Sequence, residues 1–120
     1  MNGYSTVGKL VRDRIPQIIR ADGAEPIVRT AGPEEYRRRL RDKLGEEIAE
    51  FLAADETRAL EELADVLEVV RALAVDLGVG PGQLEKIREA KARERGGFAG
   101  RIVWMGNRQP RAAGAHDRPA

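Results

Sequence analysis

Between residues 33 and 77 apolar residues recur at helical spacing with one short break, and this pattern constrains the fold more than any other feature. In the first stretch Tyr36, Leu40, Leu44, Ile48 and Phe51 form a stripe. In the second, the apolar set is Leu60, Leu63, Val66, Leu67, Val69, Val70, Leu73, Ala74 and Leu77. Residues advance about 100° each in a helix, so this set covers an arc of roughly 180° or more, wider than the ~100° stripe of a surface helix. The break, Ala54-Asp55-Glu56-Thr57, is tight, with Asp55 or Thr57 as a cap, and a short link makes two helices antiparallel neighbours. The expected fold class is therefore all-α, an antiparallel helix bundle with its longest helices near 33–53 and 58–77.

The remaining punctuation supports that class. A short helix is expected over Arg14–Arg20, capped by Asp13 and ended by Gly23. Pro33 sits at a first helical position, followed by Glu34 and Glu35, where acids suit the helix dipole. Gly78 closes the long second helix, and Gly80-Pro81-Gly82 breaks the chain before a last helix over about Gln83–Arg95. Residues 26–30 and 101–105 are β-like runs that would suit a minor two-stranded patch. One domain is expected over residues 1–106. Residues 107–120 carry no core pattern and read as a disordered tail, which holds the lone His116 and argues against a catalytic role for it.

Composition narrows the function. The 120 residues carry a formal net charge of +1, against a dedicated nucleic-acid binder with its usual basic excess. There is no cysteine, so disulfides and thiolate metal sites are excluded. No apolar run reaches the ~20 residues of a membrane span, and no signal-peptide core opens the chain, so the cytoplasm is the expected compartment. No G-x-x-x-x-G-K-[ST] motif occurs, which excludes a P-loop.

Two carboxylate clusters interrupt the apolar pattern: Glu46-Glu47-Ile48-Ala49-Glu50 and Glu62-Leu63-Ala64-Asp65. Wound as helices, Glu47 projects between Tyr36 and Leu40, and Glu46 and Glu50 run along the border of the stripe. Glu62 falls inside the apolar arc between Val69 and Val66, and Asp65 falls just outside its edge. A carboxylate in apolar surroundings is costly unless paired, protonated or bound to metal. Like charges one turn apart repel, and a divalent cation would neutralise them. Oxygen-only ligands suit magnesium or manganese. Glu56, Glu61 and Glu68 read instead as a solvated face.

These residues carry a resemblance. Glu46-Glu47-x-x-Glu50 followed by Glu62-x-x-Asp65 resembles the signature of the all-α nucleoside triphosphate pyrophosphohydrolases, which include MazG-like proteins and phosphoribosyl-ATP pyrophosphohydrolases. Lys9-Leu10-Val11-Arg12-Asp13-Arg14-Ile15-Pro16, Glu62-Leu63-Ala64-Asp65-Val66-Leu67-Glu68-Val69 and Arg95-Gly96-Gly97-Phe98 are similar to segments of a compact MazG-like subgroup. The resemblance covers about residues 8–105.

It implies a magnesium-dependent enzyme, with manganese as the alternative ion, that hydrolyses the α–β phosphoanhydride of a nucleoside triphosphate to monophosphate and pyrophosphate. It also implies a homodimer or homotetramer. By position, Glu46, Glu47, Glu50, Glu62 and Asp65 become the metal-site candidates. Glu47 and Glu50 are the catalytic candidates, and which carboxylate is the general base stays open. Lys9, Arg12, Lys91 and Arg95 are the candidates for phosphate contact, with Lys43 and Arg93 behind them. Two other readings compete: phosphoribosyl-ATP hydrolysis in histidine biosynthesis, and a non-catalytic helical dimerisation module. Phe98 and Trp104 suit core or interface packing better than stacking on a base. Neither a nucleic-acid polymer nor a membrane is an expected partner.

Overall fold

The computed structural model describes residues 8–109. Among them it contains four α-helices: α1 (Ile15–Ala21), α2 (Pro33–Ala53), α3 (Glu56–Asp76) and α4 (Pro81–Arg95). The described residues contain no strand.

Packing is dominated by α2 against α3, the antiparallel hairpin expected from the short link between them. Asp55 closes that link. Its side chain accepts from the backbone N–H of Thr57 at 3.1 Å and of Arg58 at 3.1 Å, satisfying two donors that a helix start otherwise leaves free. At the far end Gly78 adopts a left-handed φ of +91°. Such a backbone is strained for residues with a Cβ, so glycine terminates the helix there.

Three sequence expectations need correction. Asp13 does not cap α1: the helix starts one residue later, with Arg14 at its cap and no side-chain hydrogen bond to the free amides. Helix α4 begins at Pro81 rather than Gln83, because a proline fits the first turn, where its missing N–H is not needed. The two β-like runs do not pair. Ile27, Ile102, Val103, Trp104 and Met105 are exposed, Arg101 has a left-handed φ of +56°, and no ladder joins the runs. Of the expected tail, residues from 110 on, with His116, lie outside the described residues.

The core is small. Leu40, Val69 and Ala74 are its buried apolar residues, and no described side chain is wholly enclosed. Much of the wide arc on α3 remains open, including Leu60, Leu63 and Leu67. Helix α4 packs against α3 alone and buries none of its residues. No helix is long and apolar enough to cross a membrane.

Candidate functional site

The hairpin brings the two carboxylate clusters together. Glu47 of α2 and Glu62 and Asp65 of α3 each offer an oxygen, and these oxygens lie within 4.8 Å of one another. Glu47 is 6% exposed and Glu62 8%, the two buried charged residues of the described chain. Their position follows from winding: each occupies a place in an apolar stripe, and the facing stripes form the contact between α2 and α3. Three carboxylates so close together repel strongly unless compensated.

Each acid has a cation beside it. Arg12 Nη2 donates to Asp65 Oδ1 at 2.7 Å. Arg58 Nη2 lies 3.4 Å from Glu62 Oε1, one turn away on α3. Lys43 Nζ lies 3.7 Å from Glu47 Oε1 and 3.0 Å from Glu46 Oε1. Lys9 stands at the edge, 4.0 Å from Glu46 Oε2. Burial pushes the Glu47 carboxyl above its ordinary value, and the hydrogen bond to Glu50 and the charges of Glu50 and Asp65 push the same way; only Lys43 opposes them.

Beside the acids lies a cleft of about 690 Å³. One wall is the segment Lys9–Ile15, which precedes and enters α1. The opposite wall comes from Tyr36, Leu40, Lys43 and Glu47 of α2 and Asp65, Glu68, Val69 and Ala72 of α3. The cleft thus mixes apolar side chains with the bases Lys9, Arg12, Arg14 and Lys43 and the acids Asp13, Glu47, Asp65 and Glu68.

The residues expected from sequence divide as follows. Glu47, Glu62 and Asp65 converge. Glu50 is exposed and, one turn from Glu47, pushes its carboxyl upward, and Glu46 is taken up by Lys43 and Lys9. Lys9 and Arg12 line the cleft. Lys91 and Arg95 stand exposed on α4 and are not part of its lining; Arg95 pairs with Glu94. Sequence reasoning gave no role to Arg58 or Arg14; Glu68, expected on a solvated face, is exposed and also borders the cleft. Arg58 was visible in principle, four residues before Glu62, a spacing that places an arginine within reach of a carboxylate on one helix face. Phe98 and Trp104 do not enter a core within the chain; Trp104 is 78% exposed and donates through Nε1 to Asn107 Oδ1 at 2.9 Å.

The family model for phosphoribosyl-ATP pyrophosphohydrolase matches residues 21–94, more than half of the chain and all of the α2–α3 hairpin. The chain belongs to the phosphoribosyl-ATP pyrophosphohydrolase family. An uncharacterized protein of Mycolicibacterium smegmatis (strain ATCC 700084 / mc(2)155) is 53% identical over 49 residues, which is 41% of this chain and 50% of that protein. The chain thus spans about half the length of the curated relative that it matches. No solved structure matches the chain significantly. The matched region of this pyrophosphohydrolase-family chain includes Glu46, Glu47, Glu50, Glu62 and Asp65, and the cleft segment Lys9–Ile15 precedes it.

Proposed function

We propose that the chain is a divalent-metal-dependent nucleotide pyrophosphohydrolase that cleaves the α–β phosphoanhydride of a nucleoside triphosphate to monophosphate and pyrophosphate. The observation that carries this reading is the convergence of Glu47, Glu62 and Asp65 from two helices, two of them buried, with Glu47 and Asp65 lining a cleft that Lys9 and Arg12 also line.

The donor set fits a hard cation. Only carboxylate oxygens converge, without nitrogen or sulfur, and such sites favour magnesium or manganese. Glu47, Glu62 and Asp65 would hold the ion. When bound, it supplies neutralisation of phosphate charge and activation of a water. The chain's own residues do the rest. Arg12, already aimed at the acids, and Lys9 grip phosphate oxygens; arginine does so through two parallel hydrogen bonds. Glu47 and Glu50 stand one turn apart on α2, and one of them accepts the proton of the attacking water. Tyr36, Leu40 and Val69 give the nucleotide base an apolar wall.

A homo-oligomer belongs to the same proposal. Ile48, Leu52, Leu60, Leu63 and Leu67 all remain exposed on the hairpin, and a second copy would cover them. The second reading of substrate is phosphoribosyl-ATP, favoured by the family model that matches the chain. Both readings need the same anhydride cleavage and differ in what the cleft holds beyond the phosphates.

A panel of canonical nucleoside triphosphates, damaged nucleotides and phosphoribosyl-ATP, assayed with magnesium for pyrophosphate release, tests the proposal. Turnover on one class, abolished by chelation, is the expected result. No release from any member would overturn it. A non-catalytic helical module with solvated acids would in addition show no metal-dependent rise in melting temperature.

A further inference from the structure

The residues that carry Lys9 and Arg12 are poorly secured by hydrocarbon. No residue from 8 to 29 is buried, and α1 within that stretch contributes nothing to the core. Yet Lys9 and Arg12 must be held at defined places if they are to meet phosphates beside the carboxylates. Polar ties have to do this work, and they meet on one side chain of α2.

Glu35 and Arg39 together take both ends of the stretch. At its far end Arg29 donates through Nη1 to Glu35 Oε1 at 2.8 Å and through Nη2 to Glu35 Oε2 at 2.6 Å, a two-pronged contact. One turn along α2, Arg39 Nε donates to Glu35 Oε2 at 2.7 Å. The same guanidinium donates through Nη1 to the carbonyl of Gly8 at 3.0 Å, the residue just before Lys9. The side chains of Glu35 and Arg39 are each only 11% exposed, whereas their bonds to Arg29 and Gly8 lie at the surface. Gly8 bends there with a φ of +84°, which favours a residue without Cβ. Beyond this point the chain runs past Glu46 to Arg12, whose guanidinium reaches Asp65.

We propose that Glu35 and Arg39 are positioning residues: they clasp residues 8 and 29 to α2 and so set Lys9 and Arg12 over the carboxylate site. The proposal rests on the reading of the cleft as a phosphate site. Neither residue touches the nucleotide; they act through the segment they hold. The pattern was present in the sequence as a run of charges four apart on α2, Glu35, Arg39, Lys43 and Glu47. Its purpose needed the fold, because residue 8 must arrive beside residue 39.

The test compares wild type with Arg39→Met, Arg39→Lys and Glu35→Gln in the full chain. Amide hydrogen exchange is read over residues 9–14, and kinetics are read with magnesium and the best substrate of the panel. Arg39→Met should speed exchange in that segment and raise KM roughly tenfold, the scale of one charge-assisted hydrogen bond. The turnover number should stay within about twofold, since the carboxylates are untouched. Arg39→Lys keeps the charge and one donor, and should recover part of the loss. The metal-dependent rise in melting temperature should match wild type in all three. Unchanged exchange over residues 9–14 overturns the clasp. So does a fall in turnover at constant KM, or a loss of activity that merely follows loss of folded protein. If Arg39→Met fails to fold, Glu35→Gln and Arg39→Lys decide by the same readings. If wild type releases no pyrophosphate from any nucleotide, the hydrolytic reading fails separately. Exchange still decides the clasp: acceleration upholds it and no change overturns it.

Discussion

The cleft side of the α2–α3 hairpin and the exposed hydrocarbon elsewhere on the chain reverse the usual distribution of residue types. On the cleft side two carboxylates are buried where a stripe of apolar residues leads one to expect leucine or valine. Elsewhere Leu60, Leu67, Phe98, Ile102 and Trp104 face outward. In the charged region Glu46, Glu47, Glu62 and Asp65 each have a lysine or arginine within 4.0 Å. The apolar region has no such compensation among the described residues. A buried charge must be answered locally, since leaving it unpaired is costly. Exposed hydrocarbon can be answered by another molecule. The contrast teaches that the three converging carboxylates are assembled by one hairpin, whereas much of the apolar surface of that hairpin is not covered within the chain.

The largest effect expected on the closed side is at Leu40, the large apolar residue buried deepest between the helices. Leu40→Ala should destabilise the fold by about 2–5 kcal/mol, from lost burial and the cavity left behind. Denaturant unfolding measures it. A cost below about 1 kcal/mol would mean that the hairpin is not where the stability resides. The open side should respond in assembly rather than in folding. Leu67 is 58% exposed within the chain, so Leu67→Glu should leave helix content by circular dichroism nearly unchanged. Light scattering should nevertheless show dissociation, because the new charge would have to be buried in the contact between copies. A native chain that is already monomeric at micromolar concentration would break this half of the comparison.

A smaller effect is expected from acid. Hydrogen bonds from Arg29, and then from Arg39, lower the Glu35 carboxyl from an ordinary 4.5 to about 2. A carboxyl with a lowered folded value contributes stability that is fully present above its unfolded value and lost as pH falls through the folded one. The melting temperature of wild type should therefore exceed that of Glu35→Gln above about pH 5, and the gap should close between about pH 4.5 and 2. A gap independent of pH over that range would show that the Glu35 charge contributes nothing.

Much of this was legible in the sequence, and the reasons are particular. Helical winding alone put Glu62 inside an apolar arc and Glu47 between Tyr36 and Leu40, and both are buried. Asp55 was legible as a cap because capping is a matter of two or three adjacent residues. Asp13, judged by the same local rule, does not cap, since α1 begins beyond its reach. The runs at 26–30 and 101–105 have strand-like residues, but a strand needs a partner, and local composition does not supply one. Lys91 and Arg95 were chosen by charge and position near a helix end, and α4 places them outside the cleft lining. The joining of Gly8 to Arg39 spans residues far apart in sequence, so only the folded chain shows it.

The central claim is that Glu62 is buried to serve a metal site and not to hold the fold together. Glu62→Gln keeps the shape and removes the charge. Melting temperature and magnesium-dependent pyrophosphate release, measured on one preparation, test the claim directly. The account predicts that turnover collapses and the magnesium response weakens while the metal-free protein melts at the same temperature or higher, because three crowded carboxylates become two. A lower melting temperature with activity reduced only in proportion would contradict it and assign Glu62 to a structural pair with Arg58.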